Sequence, residues 1–169
     1  MISRVALLLA VVLLASLAAA QGGPPQRPAG PPVPQSEQMK AGVAHFDRAF
    51  YDLTPRNRHA EAAAEFDLAV AAFERELTAS PGSARAHTYL ARIYSVRKEF
   101  KKAGEHYDQV AAIEPLNVDA CVLAALAYVD AKEVAEARAR LVVARSRTQD
   151  PSALARLDEY IARVDALIR

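Results

Sequence analysis

The 169-residue chain is poor in the residues that carry chemistry. It has one cysteine, Cys121, so no intrachain disulfide can form even in an oxidising compartment. Its four histidines, His45, His59, His87 and His106, include no i, i+4 pair, and there is no His-Glu-x-x-His. Beyond residue 30 the glycines are Gly42, Gly82 and Gly104, too scattered for a loop that cradles phosphate. Neither Gly-x-Ser-x-Gly nor Cys-x-x-Cys occurs. The charge is nearly balanced, 21 Lys and Arg against 20 Asp and Glu, which leaves no electrostatic footprint for nucleic acid or an anionic membrane. Together these absences argue against an enzyme, a metal centre and a bound cofactor, and leave stability to helix packing.

The N-terminus is the one strongly apolar stretch. Val5 to Ala20 is uncharged, is preceded by a single cation, Arg4, and closes with Ala18-Ala19-Ala20. At 16 residues it falls short of the roughly 20 that span a bilayer as a helix, so residues 1–20 read as a secretory signal. Gln21 rather than cysteine follows, which argues against lipid attachment. The membrane enters only through a signal left uncleaved. Arg outnumbers Lys by 16 to 5, in keeping with a GC-rich bacterial genome. The reading is export to the periplasm or cell envelope of a bacterium. Residues 21–36 follow as a linker in which six of the ten prolines lie between Pro24 and Pro34, a composition that can neither pair its backbone nor bury a core.

From residue 37 to 169 the pattern is helical. Seven helices are expected at about 37–53, 56–79, 84–97, 99–113, 118–130, 133–147 and 152–168. Thr54 is expected to cap the second, Ser83 the third and Asn117 the fifth. A period runs through them: Ala69, Ala103 and Ala137 stand 34 residues apart, each followed four residues later by Phe73, Tyr107 or Leu141. The same step carries Tyr94 onto Tyr128 and Pro81 onto Pro115. A fixed period with small and large residues in phase describes one helical hairpin repeated and stacked. The last helix has a single apolar stripe, Leu154, Leu157, Ile161, Val164 and Ile168, suited to covering the end of the stack.

The best unit reads His87-x2-Leu90-Ala91-x2-Tyr94, then Ala103-x3-Tyr107, then Pro115. This resembles the tetratricopeptide repeat, with His87 at the usual Trp place and Ala91 at the usual Gly place. The next unit keeps Ala125, Tyr128, Ala137 and Leu141, with Cys121 at the Trp place. In the unit before, the second helix keeps Ala69, Phe73 and Pro81, while the first is out of phase. The resemblance implies an all-α superhelix of about three hairpins with a C-terminal capping helix. It also implies a concave face lined by the first helix of each hairpin. On that face would stand Arg85, Thr88, Tyr89 and Arg92, then Val122, Leu123, Leu126 and Val129. The Lys and Asn pattern with which some members clamp a terminal carboxylate is missing at Thr88, Arg92 and Leu123.

An apolar floor with a basic rim suits an extended peptide or an amphipathic helix carrying acidic groups. The expected function is therefore a noncatalytic scaffold for a protein or peptide partner. Self-association through the apolar face of the third hairpin is the first alternative, and an enzyme built on His45, His59 and an acid the second. His87 is expected in the core, His106 in solvent, and Cys121 as a small apolar residue. Glu61 and Glu65 are expected on an ordinary charged helix face. Leucine at position 103 would overpack the contact between paired helices, so Ala103→Leu should lower the unfolding free energy by roughly 1–3 kcal/mol. A denaturant midpoint that does not move would contradict this alignment.

Overall fold

The computed structural model describes residues 36 to 168, without the side chain of Ile168; the expected signal and all of the linker but Ser36 lie outside them. The first helix begins as α1 (Glu37–Asp47) and continues through a π-helical segment (Arg48–Leu53) and a 3₁₀ turn (Thr54–Arg56). There follow α2 (His59–Ala79), α3 (Ala84–Val96), α4 (Phe100–Ile113), α5 (Val118–Asp130), α6 (Val134–Ser146) and α7 (Pro151–Ile168). No strand occurs among the described residues. Each helix packs on the next in sequence, and α1 also touches α3. These are the contacts of stacked antiparallel hairpins.

The helix starts are chemically explicit. The side chains of Ser36, Ser83 and Asn117 accept from Met39 N, Ala86 N and Ala120 N at 3.0, 3.4 and 3.1 Å. Asp150, an unexpected cap, accepts from Ser152 N and Ala153 N at 3.3 and 3.1 Å, with Pro151 in the first helical position. Thr54 is not a cap. Its hydroxyl donates back to Ala49 O at 2.8 Å, and α2 starts later, at His59. Pro55 thus belongs to the end of the first helix, where the 3₁₀ turn has no need of its missing N–H.

The turn inside each hairpin uses one device three times. Arg58 N, Glu99 N and Glu133 N donate to Leu53 O, Tyr94 O and Tyr128 O at 3.0, 2.9 and 2.8 Å, closing the preceding helix across five residues. The residue before each donor, Asn57, Lys98 or Lys132, is left-handed, with φ of 58, 61 and 65°. Lys98 and Lys132 obey the 34-residue step, but Asn57 lies 41 residues before Lys98. The seven extra residues are in α2, which has 21 residues where α4 has 14. Seven residues are close to two helical turns, so α2 is lengthened without rotating its buried face. This is why the first unit looks out of phase. Corrected by seven, Phe46 stands where His87 and Cys121 stand in the later units, and it is fully buried.

Ala69, Ala103 and Ala137 are completely buried, and Phe73, Tyr107 and Leu141 are buried beside them. The core has two parts. One joins α1 and α2 to Ala86, Leu90 and Ile93 of α3. The other runs from Ala91 of α3 through α4, α5 and α6 to Leu157 and Val164 of α7. The apolar stripe of α7 therefore does close the stack. Two glycines mark the tightest approaches. A Cβ at Gly42 would lie 2.6 Å from the Phe73 ring, and one at Gly104 would lie 2.9 Å from the Tyr128 ring.

A left-handed lysine costs about 1 kcal/mol that glycine does not incur. Lys98→Gly and Lys132→Gly should therefore each raise the unfolding free energy by roughly 0.5–1 kcal/mol, net of glycine's greater entropy in the unfolded chain. Thermal melts of the single variants and the double variant check this. A double variant less stable than the parent would refute the assignment of these turns.

Candidate functional site

The first helices of the three hairpins are α1, α3 and α5. On α3, Tyr89 is half-buried, stacked on Phe73 (ring centroids 4.9 Å apart, planes 9°) and edge-on to Phe46 (5.0 Å, 70°). One helical turn on, the Arg92 guanidinium lies over Phe46 at 4.8 Å and Phe50 at 5.6 Å. Arg85, exposed in the first turn, has its guanidinium 5.9 Å from the Tyr89 centroid. Thr88 turns its hydroxyl back to Ala84 O at 2.9 Å. The rings extend along the first helix, where Phe50 stacks on Phe46 (5.4 Å, 10°) and meets Tyr51 edge-on (5.1 Å, 78°).

Of the expected α3 residues, Arg85, Tyr89 and Arg92 thus stand in one cation–aromatic array, while Thr88 stays apart from it. The array is completed by Phe46, Phe50 and Tyr51, which the 34-residue alignment passes over. The signal that could have found them is the Phe46, Phe50 pair at i, i+4. The π-helical segment Arg48–Leu53 holds Phe50 and Tyr51 side by side at the end of the first helix. On α5 the picture divides. Val122 and Val129 are half-buried and pack against the second core, Leu126 is half-buried, and Leu123 is exposed.

Most cations are matched: Arg48 with Glu65, Arg97 with Asp67, Lys101 with Glu133, Arg140 with Asp108, Arg145 with Asp158. Among the described residues no carboxylate pairs with Arg85 or Arg92. Cation–π contact orients the Arg92 guanidinium but does not neutralise it. An aromatic floor under two uncompensated guanidinium groups favours an anionic group attached to an apolar one.

Elsewhere the polar clusters are internally satisfied. Glu65 is no ordinary surface acid: it receives His45 Nδ1 at 2.6 Å and Arg48 at 3.2 Å. His59 is exposed at the start of α2. No group of three metal-binding side chains occurs among the described residues. Cys121 is buried, its sulfur receives Arg147 Nη1 at 3.3 Å, and burial pushes the thiol above its ordinary range. Asp108 receives Arg140 in a fork at 2.5 and 2.8 Å and also Tyr128 Oη at 2.8 Å. Burial, then the bond to Asp108, pushes the Tyr128 phenol up to about 12. His106 is not solvated as expected: it is half-buried, 2.9 Å from His87, and stacked on Tyr94.

Residues 97–158 match the family model described as tetratricopeptide repeat. No curated protein matches the chain. Among solved structures, the N-terminal domain of stress-induced protein-1 (STI-1) from C. elegans is similar at 14% identity and a TM-score of 0.50, over 74% of this chain and 98% of that one. The second TPR domain of human RPAP3, solved by NMR in complex with an HSP70 peptide, is 11% identical with a TM-score of 0.52, over 76% and 98%. A chain of the CopN–Scc3 complex is 15% identical with a TM-score of 0.52, over 90% and 85%. At these identities the shared property is the fold, an all-α stack of tetratricopeptide-like hairpins.

Proposed function

We propose that this chain, which carries tetratricopeptide repeats, is a noncatalytic exported scaffold that holds a peptide or helix against its α1, α3 and α5 face. The observation that carries the reading is the pair Arg85 and Arg92, which lie over Phe46, Phe50 and Tyr89 with no carboxylate partner among the described residues, while most other cations there are matched. A ligand that satisfies both features is an extended or amphipathic segment with an acidic side chain next to an apolar one. Thr88 and Tyr89 line the α3 part of the face, and Val122, Leu123, Leu126 and Val129 continue it along α5. Support comes from the similar RPAP3 domain, whose structure contains a bound peptide.

The place of action is the periplasm or envelope of a bacterium. Residues 1–20 direct export and residues 21–35 space the repeats from the membrane or the signal. No helix among the described residues is long and apolar enough to cross a membrane. In this reading the membrane enters only through a signal left uncleaved.

A panel of fluorescent amphipathic peptides, acidic and charge-reversed, tests the binding face by anisotropy. Acidic members should bind, and Arg92→Met and Leu126→Asp should each weaken them about tenfold or more with circular dichroism unchanged. Equal affinity for charge-reversed peptides, or binding indifferent to both substitutions, would overturn the reading. A change in molar mass on Leu126→Asp, with no peptide effect, would assign the face to self-association instead. For export, the mass of the protein recovered from the periplasmic fraction should begin at Gln21, and retention of the whole chain in the cytoplasm would contradict it.

A further inference from the structure

Two imidazoles tie α3 to α4 and to the turn before them. His87 Nε2 lies 3.4 Å from Pro81 O. A carbonyl can only accept, so that nitrogen carries the hydrogen. His87 Nδ1 is then bare, and it must accept from His106 Nδ1, 2.9 Å away. The bonds therefore run in one direction, His106 to His87 to Pro81 O. Tyr94 lies flat on His106, with ring centroids 5.4 Å apart and planes at 9°, and Lys102 Nζ stands 5.1 Å from the Tyr94 centroid. His87 is buried and His106 half-buried.

The relay can hold one added proton but not two. A proton on His87 Nδ1 keeps the bond when His106 carries its own hydrogen on Nε2, and a proton on His106 leaves its Nδ1–H donating. With both rings charged, N–H faces N–H across 2.9 Å and two cations stand side by side. Among the described residues no carboxylate bonds to either ring to balance a charge. Around Tyr94, the ring stacked on His106, stand Glu74 from α2, Arg97 just after α3, Glu99 from the turn and Lys102 from α4. The charge that bears on His106 itself is that of His87.

We propose that the His87–His106 relay is an acid-released latch: with at most one ring charged it holds the second hairpin closed on the Pro81 turn, and protonation of both rings opens it. Opening would loosen α3, which carries Arg85, Thr88, Tyr89 and Arg92. That consequence for binding rests on the scaffold reading above, but the latch does not. Its electrostatics agree. Burial lowers His106 to about 4, with His87 adding to the shift, and burial lowers His87 in the same sense against the pull of Pro81 O. An unfolded histidine titrates near pH 6.5, so below that the unfolded chain takes up a proton that the folded chain refuses. The latch's contribution to stability is complete above about pH 6.5 and is lost as the pH falls toward 4.

The test uses the full chain and its His106→Gln variant, in which the amide can still donate to His87 but cannot charge. Between pH 7.5 and 5.0 the wild-type Tm should fall by roughly 5 °C more than that of the variant. An NMR titration of the wild-type imidazoles should place His106 well below its ordinary range, and this readout holds even if the variant folds poorly. Equal falls in Tm, or a His106 that titrates near pH 6.5, would overturn the latch. So would a rise in Tm on adding zinc at pH 7.5 that His106→Gln abolishes, because the nitrogens would then be metal ligands. At 2.9 Å they stand closer than the about 3.3 Å that two tetrahedral zinc–nitrogen bonds require. None of these readouts involves a peptide, so a failure of peptide binding with the latch intact would count against the scaffold reading alone.

Discussion

The Tyr128 ring, laid against Gly104 and held by Asp108, is the contact on which the stacking of the later hairpins depends. Gly104 and Asp108 are one turn apart on α4, so the helix offers a flat place for the ring and, beside it, an acceptor for the hydroxyl. Arg140 of α6 grips the same carboxylate through two nitrogens. Three helices from two hairpins are thereby fixed around one tyrosine. The ring cannot swing aside to make room for a Cβ at position 104 without giving up its bond to Asp108. Gly42 under Phe73 applies the same principle inside the first hairpin. Small against large, repeated at a fixed spacing, sets how closely successive helices approach.

Polar contacts between hairpins reinforce that packing unequally. Arg97 reaches across to Asp67, and Lys101 to Glu133, but these pairs are largely exposed and each is worth at most about 1 kcal/mol. The half-buried fork between Arg140 and Asp108 carries more, because its geometry is bidentate and a third donor shares it. Most of the charge is internally matched, but on the first-helix face Arg85 and Arg92 lie over aromatic side chains with no carboxylate partner among the described residues. A scaffold needs such an imbalance, since a surface that satisfies itself has nothing to offer a partner.

Much of this fold was legible in the amino-acid sequence, because a repeat writes the same packing constraint several times. Ala69, Ala103 and Ala137 announced the buried seams, and Ser83 and Asn117 the helix starts. The first hairpin was obscured by the seven extra residues of α2. They leave the buried face unrotated but break the 34-residue count, and so they hid Phe46 and Phe50. Thr54 misled because a threonine before proline has the chemistry of a cap, yet here its hydroxyl serves the end of the preceding helix. His106 misled because its neighbour Glu105 points to solvent, and one helical step separates exposed from half-buried. Register alone named Arg85, Tyr89 and Arg92 of the candidate site, whereas the aromatic rings beneath them come from a helix outside that register. What a side chain pairs with across helices leaves no trace in spacing.

A double-mutant cycle on Gly104→Ala and Tyr128→Ala tests most directly whether the seam governs the stack. With Tyr128 present, Gly104→Ala should lower the unfolding free energy by roughly 1–3 kcal/mol, because the new methyl overpacks the seam. Once Tyr128 is truncated to alanine, the same change should stabilise by up to about 1 kcal/mol, as alanine normally does in a helix interior. The sign of the Gly104→Ala effect should therefore reverse. Effects that add within about 0.5 kcal/mol would contradict it, since independent sites behave in that way and interlocked ones do not.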